Sequence, residues 1–519
     1  MSDRAKSEEA LETLTRILSY ADDENVLFLI WATHAIQDGR ESFARKFFRY
    51  PREAVTTSID SKYSAYKWDL ETLLSIDLNT LKNKVRRNKV NFKDFEATVT
   101  LVNLIKSIED SSVPERINDE NIFMELHRIA HRQFGWQRGF VNKPDIYRYM
   151  YIYGQGDAAQ YFLETNGISV SDFFACAFAY YTYLRMNPWC SPISNLDDIG
   201  ISTDIASNAL RILSDDMWSA RRESRALLNK METSAGGKLP VVYQPSYLRL
   251  KPIVRWDLGT RYQIIAPLPE LIVMRATLGL YYDLQGGGTT VANDATKRFE
   301  DYARRSITAY CPGFVAQAAV TYKHKGNRLE TPDILLQQAG RVVAVFECKA
   351  TKLSFQAQYS DDPMESARAG YAQIAKAIFQ LWRFFSHVRR GIVEFEVAAD
   401  APAIVLTMDA WTQMSHELRD GLIAEAQKIS VEKEPDMIEE DRRYPIFCPI
   451  DELEKMLLKS NEEQLLAAFR AGKAPEYRGW SIENVRDSAV PNPDAVKEFA
   501  FDLGDLLPWW GRRAGVGAA

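Results

Sequence analysis

The sequence predicts an α/β core, a mixed sheet flanked by helices, preceded by a mainly α-helical N-terminal region. Three observations carry this. Apolar residues recur at three- and four-residue spacing through residues 1–233. Runs rich in β-branched and aromatic residues begin only after a small-residue linker, SAGG at 234–237 followed by KLP. Between 295 and 411 the pattern reads helix, three strands, helix, strand.

Taken in order, LETLTRILSY, DLETLLSIDLNTLKNKV and ATVTLVNLIKSI have helical periodicity. ISVSDFFACAFAYYTYLRM is the most apolar stretch. It contains Asp172 and several tyrosines and reads as a buried helix, not a membrane span. VVYQPSYL and RYQIIAPL read as strands, and ELIVMRATLGLYYDL as a helix that Gly286-Gly287-Gly288 ends. Asn293 or Asp294 would cap the next helix, ATKRFEDYARRSITAY. FVAQAAVTYK, TPDILLQQ and RVVAVFECKA read as strands, the last two joined by a tight turn at Ala339-Gly340. One long helix is expected over 363–388 and a strand in APAIVLTMDAW. SHELRDGLIAEAQKI, IDELEKMLLKS and EEQLLAAFRAG read as helices, and the tail GRRAGVGAA as disordered.

A chain of 519 residues exceeds one ordinary core. The expected division is a helical recognition, regulatory or assembly domain at 1–233, a connecting segment at 239–285, the α/β core at 290–412 and a helical extension at 413–519. Hydrophobic content of 46% and charged content of 26% fit a soluble globular protein. The net charge of −6 places any nucleic-acid contact on local patches, not on the overall charge. The five cysteines form no C-x-x-C pair, so neither a disulfide framework nor a zinc ribbon is indicated. MSDRAKSEEALETL lacks the apolar core of a signal peptide, and a cytoplasmic location is expected.

Phosphodiester hydrolysis needs a divalent metal held by carboxylates and a cation to offset charge in the transition state. One hairpin supplies this set. Asp333 opens TPDILLQQ, and Glu347 and Lys349 lie two apart on RVVAVFECKA, so they share a face. The apolar run at 342–346 would hold the strand rigid, and the short turn brings Asp333 near Glu347. Cys348 points the other way, into the core.

Pro332-Asp333 followed by Glu347-Cys348-Lys349 resembles the PD-(D/E)xK nuclease superfamily, the restriction-endonuclease-like fold. The resemblance covers residues 295–411. It implies that Asp333 and Glu347 bind Mg²⁺, with Mn²⁺ able to substitute, and that Lys349 positions or activates water. It also implies an acid on the preceding helix, where Glu300 falls, and in some branches a glutamine on the following one. Gln373 and Gln380 are the candidates, but neither is followed by tyrosine four residues on. The activity implied is that of an endonuclease acting on DNA. By analogy, a prokaryotic restriction or antiphage-defence effector would combine such a core with an accessory domain. The alternatives are an RNase with the same site, and a nucleic-acid-binding or assembly module that uses the fold without turnover.

Ordinary explanations stand beside each assignment. Asp333 could cap a strand, Glu347 and Lys349 could form an ion pair at a sheet edge, and Glu300 could be a helix-dipole partner. Pro-Asp also ends at Asp145, Asp436 and Asp494; Asp145 begins a plausible strand, PDIYRYMYI, with no E-x-K after it. Asp60-Ser61-Lys62 fits D-x-K without an apolar strand before it. His127 and His131 have a zinc-compatible spacing but no third ligand nearby, and read as an ordinary helix face. LKNKVRRNKVNFK and WSARRESRALLNK read as solvated faces. Lys352, Gln380 and Arg383 are the candidate nucleic-acid contacts, and the basic end of that helix (Arg383, Arg389, Arg390) flanks the site. No G-x-x-x-x-G-K-[ST] is present, so a motor would come from a partner protein. A homodimer would place two sites on a duplex.

Overall fold

The computed structural model describes residues 3–83, 90–112, 122–138, 142–193, 196–257, 262–360, 362–412, 415–492 and 495–511. Its centre is a five-stranded mixed sheet. The strands of this part of the chain are β1 (Val315–Ala318), β2 (Thr321–His324), β3 (Asn327–Glu330), β4 (Ile334–Gln338), β5 (Arg341–Lys349), β6 (Ala403–Thr407) and β7 (Pro445–Pro449). The sheet order is β7-β6-β5-β4-β1, and β2 and β3 form a separate hairpin. β7, β6 and β5 run parallel, whereas β5, β4 and β1 are joined antiparallel.

The strand β5 lies at the middle of this sheet, which explains its composition. Residues 342–348 are all buried, as a strand covered on both faces requires. The turn into it is tight because Ala339 and Gly340 both adopt positive φ, 49° and 81°, as a two-residue hairpin loop demands.

Helices cover both faces. They are α1 (Gly288–Tyr310), α2 (Arg368–Arg389), α3 (His416–Lys433) and α4 (Ile450–Lys459). The apolar stripe of α1, Val291, Ala295, Phe299, Ala303 and Ile307, repeats every four residues and is buried. Phe299 and Ile307 join Leu336, Phe346 and Cys348 of the sheet and Leu453 of α4 in one core. On the other face, Ile378, Trp382 and Phe385 of α2 pack with Leu335, Val345 and Val405.

The N-terminal region is helical, as expected, with helices at Asp3–Ser19, Lys67–Asn79 and Phe95–Ser112 among others. Val170–Met186 is largely buried, and among the described residues no helix is long and apolar enough to cross a membrane. The core under α1 also contains residues of the helices Lys143–Tyr153 and Val170–Met186. Helix Met217–Ala235 runs into the expected linker and ends at Gly236, whose φ of 68° provides a left-handed cap.

Several elements differ from expectation. FVAQAAVTYK divides into β1 and β2, because the chain leaves the sheet after Ala318 to make the β2–β3 hairpin. The helix over 363–388 is broken at Ala367 into Pro363–Ser366 and α2. VVYQPSYL forms two 3-10 turns, and ELIVMRATLGLYYDL two short helices, Glu270–Ala276 and Leu280–Leu284. PDIYRYMYI is helical: Asn142 caps Lys143–Tyr153 by accepting from the Asp145 N–H, with proline in the first turn. That capping prevails over the strand preference of its tyrosines. α1 begins at Gly288, not at a cap on Asn293 or Asp294; Asp294 pairs instead with Arg298 at 3.1 Å. The strand β7, PIFCP, lies outside the expected elements; it sits at the sheet edge, where its prolines are tolerated. The tail at 512–519 and Asp494 lie outside the described residues.

Candidate active site

Register brings the acids together. Ile334 pairs with Phe346, so Asp333 stands beside Glu347 at the same end of the sheet. Asp333 Oδ2 accepts a 2.6 Å hydrogen bond from the Cys348 N–H. Lys349 Nζ lies 2.8 Å from Glu347 Oε1. The Glu347 side chain is 2% exposed, and its Oε2 is buried with no hydrogen-bond partner among the described residues. Glu300 projects from α1, half-buried, into the same field of charge.

The electrostatics reflect this crowding. Burial pushes the Asp333 carboxyl up to about 8, and the charges of Glu347 and Glu300 add to it. Burial likewise raises Glu300, followed by the charge of Glu347. For Lys349, burial disfavours the ammonium, but Glu347 and Asp333 outweigh it and hold the pKa above the ordinary lysine value. The site therefore holds three carboxyl groups and one ammonium in a volume with too little positive charge.

Cys348 points away from Glu347 into the core, as its position on the strand requires. Lys352 is not at the surface. Its ammonium is buried against Tyr149 and Asp409, at 3.3 and 3.5 Å, so it is not placed to meet a phosphate. Gln380 and Arg383 lie half-buried on α2 and Gln373 is exposed. Arg383 reaches the Glu330 carbonyl at 3.4 Å, three residues before Asp333. The other arginines of that helix end are engaged by acids: Arg389 with Asp441 at 2.9 Å and Arg390 with Asp436 at 2.8 Å.

Two residues of the earlier basic stretches are engaged too. Lys82 and Arg221 both pair with Asp23 and Asp77. Lys84, Arg86, Arg87 and Lys89 lie outside the described residues. His127 and His131 stack edge-on, 4.4 Å apart, on the helix Ile122–Arg138.

Among the described residues, no group of three or more His, Cys, Asp or Glu side chains is arranged to hold a metal ion. Asp333 and Glu347 offer a pair, and magnesium needs only one or two carboxylates when water and substrate complete its shell. The orphaned Glu347 oxygen and the lack of balancing positive charge fit a cation between them. Residues that sequence reasoning missed are Asp409 and Tyr149. Asp409 lies two residues beyond the end of β6, where an acid after an apolar strand is a usable signal; Tyr149 lies 203 positions from Lys352 and gives none. No family model, no curated protein and no solved structure matches this chain.

Proposed function

We propose that this protein is a metal-dependent nuclease that hydrolyses DNA phosphodiester bonds at Asp333, Glu347 and Lys349. The observation that carries the reading is the buried Glu347 oxygen without a partner, beside an Asp333 carboxyl that burial raises to about 8. Such an arrangement is unfavourable in the metal-free protein and is relieved by a divalent cation. The order α1, β1, β4, β5, α2, β6 around this hairpin also accords with a restriction-endonuclease-like core.

Asp333 and Glu347 would hold Mg²⁺, or Mn²⁺ in its place. When bound, the ion neutralises phosphate charge and activates water. Lys349, already charged, stands beside Glu347 to offset the charge that develops on the phosphate. Glu300 is the third acid, close enough to Glu347 for the Glu347 charge to raise its carboxyl. Arg383 and Gln380 are the candidates for backbone contacts along α2.

The test is to incubate purified protein with supercoiled plasmid, linear duplex, single-stranded DNA and RNA, in Mg²⁺, Mn²⁺ or EDTA. Metal-dependent DNA cleavage that EDTA abolishes is the expected result. Cleavage of RNA alone would move the substrate and keep the site. Binding without cleavage of any substrate would favour the module that uses the fold without turnover.

A further inference from the structure

Lys352 carries a charge in a place where packing alone would favour an apolar side chain. The segment that contains it follows directly from the end of β5. Its side chain is 3% exposed, and its ammonium lies 5.1 Å over the Tyr149 ring, 3.3 Å from the Tyr149 hydroxyl and 3.5 Å from Asp409 Oδ1. Burial disfavours that ammonium, but Asp409 and the surrounding phenols outweigh it and keep it charged. A buried cation of this kind is held at a cost unless its partners are well placed.

The surrounding bonds tie two strand ends together. Lys349 is in register with Thr407 on β6, and its carbonyl accepts from the Met408 N–H at 3.1 Å. The Thr351 carbonyl accepts from Trp411 Nε1 at 3.1 Å, and the Lys352 N–H donates to the Tyr281 hydroxyl at 3.3 Å. Thr407 Oγ1 donates to the Asp409 carbonyl at 2.6 Å. The Lys352–Asp409 pair closes this loop three residues beyond Lys349. Tyr149 brings in the helix Lys143–Tyr153, which Arg148 anchors to Glu454 of α4.

We infer that Lys352, gripped by Asp409 and Tyr149, is a positioning residue that fixes the Glu347–Lys349 strand end and makes the site depend on the N-terminal helix Lys143–Tyr153. This inference rests on the nuclease reading of that site. It predicts that losing the pair misplaces Glu347 and Lys349 while leaving the DNA-binding surface intact.

The experiment compares wild type, Lys352→Met, the double variant Lys352→Met/Asp409→Asn, and Tyr149→Phe. It measures Mn²⁺ affinity by electron paramagnetic resonance, and kcat and KM for plasmid nicking. The double variant leaves no unpaired buried charge, so it stays folded even where Lys352→Met alone does not. Its kcat is expected to fall at least tenfold, with KM for DNA within threefold and Mn²⁺ binding weakened. A folded double variant with wild-type kcat and wild-type Mn²⁺ affinity overturns the inference. If wild type binds Mn²⁺ but cuts nothing, the nuclease reading fails, and the Mn²⁺ affinities alone decide the role of Lys352. If wild type neither binds Mn²⁺ nor cuts, both are overturned.

Discussion

The carboxylate of Asp333 is fastened to the backbone of Cys348, the residue between Glu347 and Lys349, by a 2.6 Å hydrogen bond. The hairpin thus locks its first acid to the strand that carries the second acid and the lysine. The position of Asp333 is set by the backbone and not by a flexible side-chain contact.

That arrangement makes metal-free stability depend on pH. The Asp333 carboxyl sits at about 8 in the folded protein, against the ordinary 3.8. The folded state therefore binds more protons in this window, and the contribution of Asp333 to stability falls as pH rises from about 4 to about 8. Asp333→Asn keeps an oxygen to accept from Cys348 and removes the charge. In EDTA it should raise stability by ~1–3 kcal/mol at pH 8–9 and by little near pH 4. Melting temperatures across that range check it; an equal shift at every pH would contradict it.

Glu300 should contribute to the charge of the site without being essential to it. Glu300→Gln removes one of three crowded acids, so metal affinity should fall by about tenfold, roughly 1.4 kcal/mol, while the fold is kept. Isothermal titration of Mn²⁺ into both proteins reads this. An unchanged affinity would reduce Glu300 to an ordinary helix residue.

The hairpin was legible in the sequence because its causes are local. A buried apolar run, a two-residue turn with positive φ and the E-x-K spacing all lie within Thr331 to Lys349. What escaped depends on distant segments. Lys352 reads as a candidate nucleic-acid contact because nothing near it in sequence reveals that Tyr149 and Asp409 cover it. The arginines at the end of α2 looked free because their partners, Asp436 and Asp441, come more than forty residues later. PDIYRYMYI reads as a strand from its β-prone tyrosines, but the Asn142 cap before it decides for a helix.

The buried ion pair between Arg148 and Glu454 joins the helix Lys143–Tyr153 to α4, with the Tyr302 hydroxyl donating to Glu454 at 2.6 Å. Glu454→Ala leaves the guanidinium short of a partner and should cost ~3–5 kcal/mol. Replacing both partners, as in Arg148→Met/Glu454→Leu, should cost much less. Chemical denaturation of the three proteins distinguishes these cases; equal losses would mean that the apolar contacts, not the charges, dominate.

Gly370 on α2 is required by Trp411. A Cβ there would overlap the Trp411 ring, which is held by its bond to the Thr351 carbonyl and by the Tyr371 ring edge. Alanine gains about 1 kcal/mol of helix propensity, but overpacking costs ~1–3 kcal/mol, so Gly370→Ala should be net destabilising. Thermal melting with tryptophan fluorescence reads both the loss and the displacement of the ring.

The most direct measurement is the initial rate of plasmid nicking in Mg²⁺ by wild type, Glu347→Ala and Lys349→Ala, each shown to be folded. Cleavage by the wild type is expected, with a loss of at least about a hundredfold in both variants, as for groups that stabilise the transition state. Cleavage that survives in both would place the chemistry elsewhere in the chain and contradict the assignment of the site.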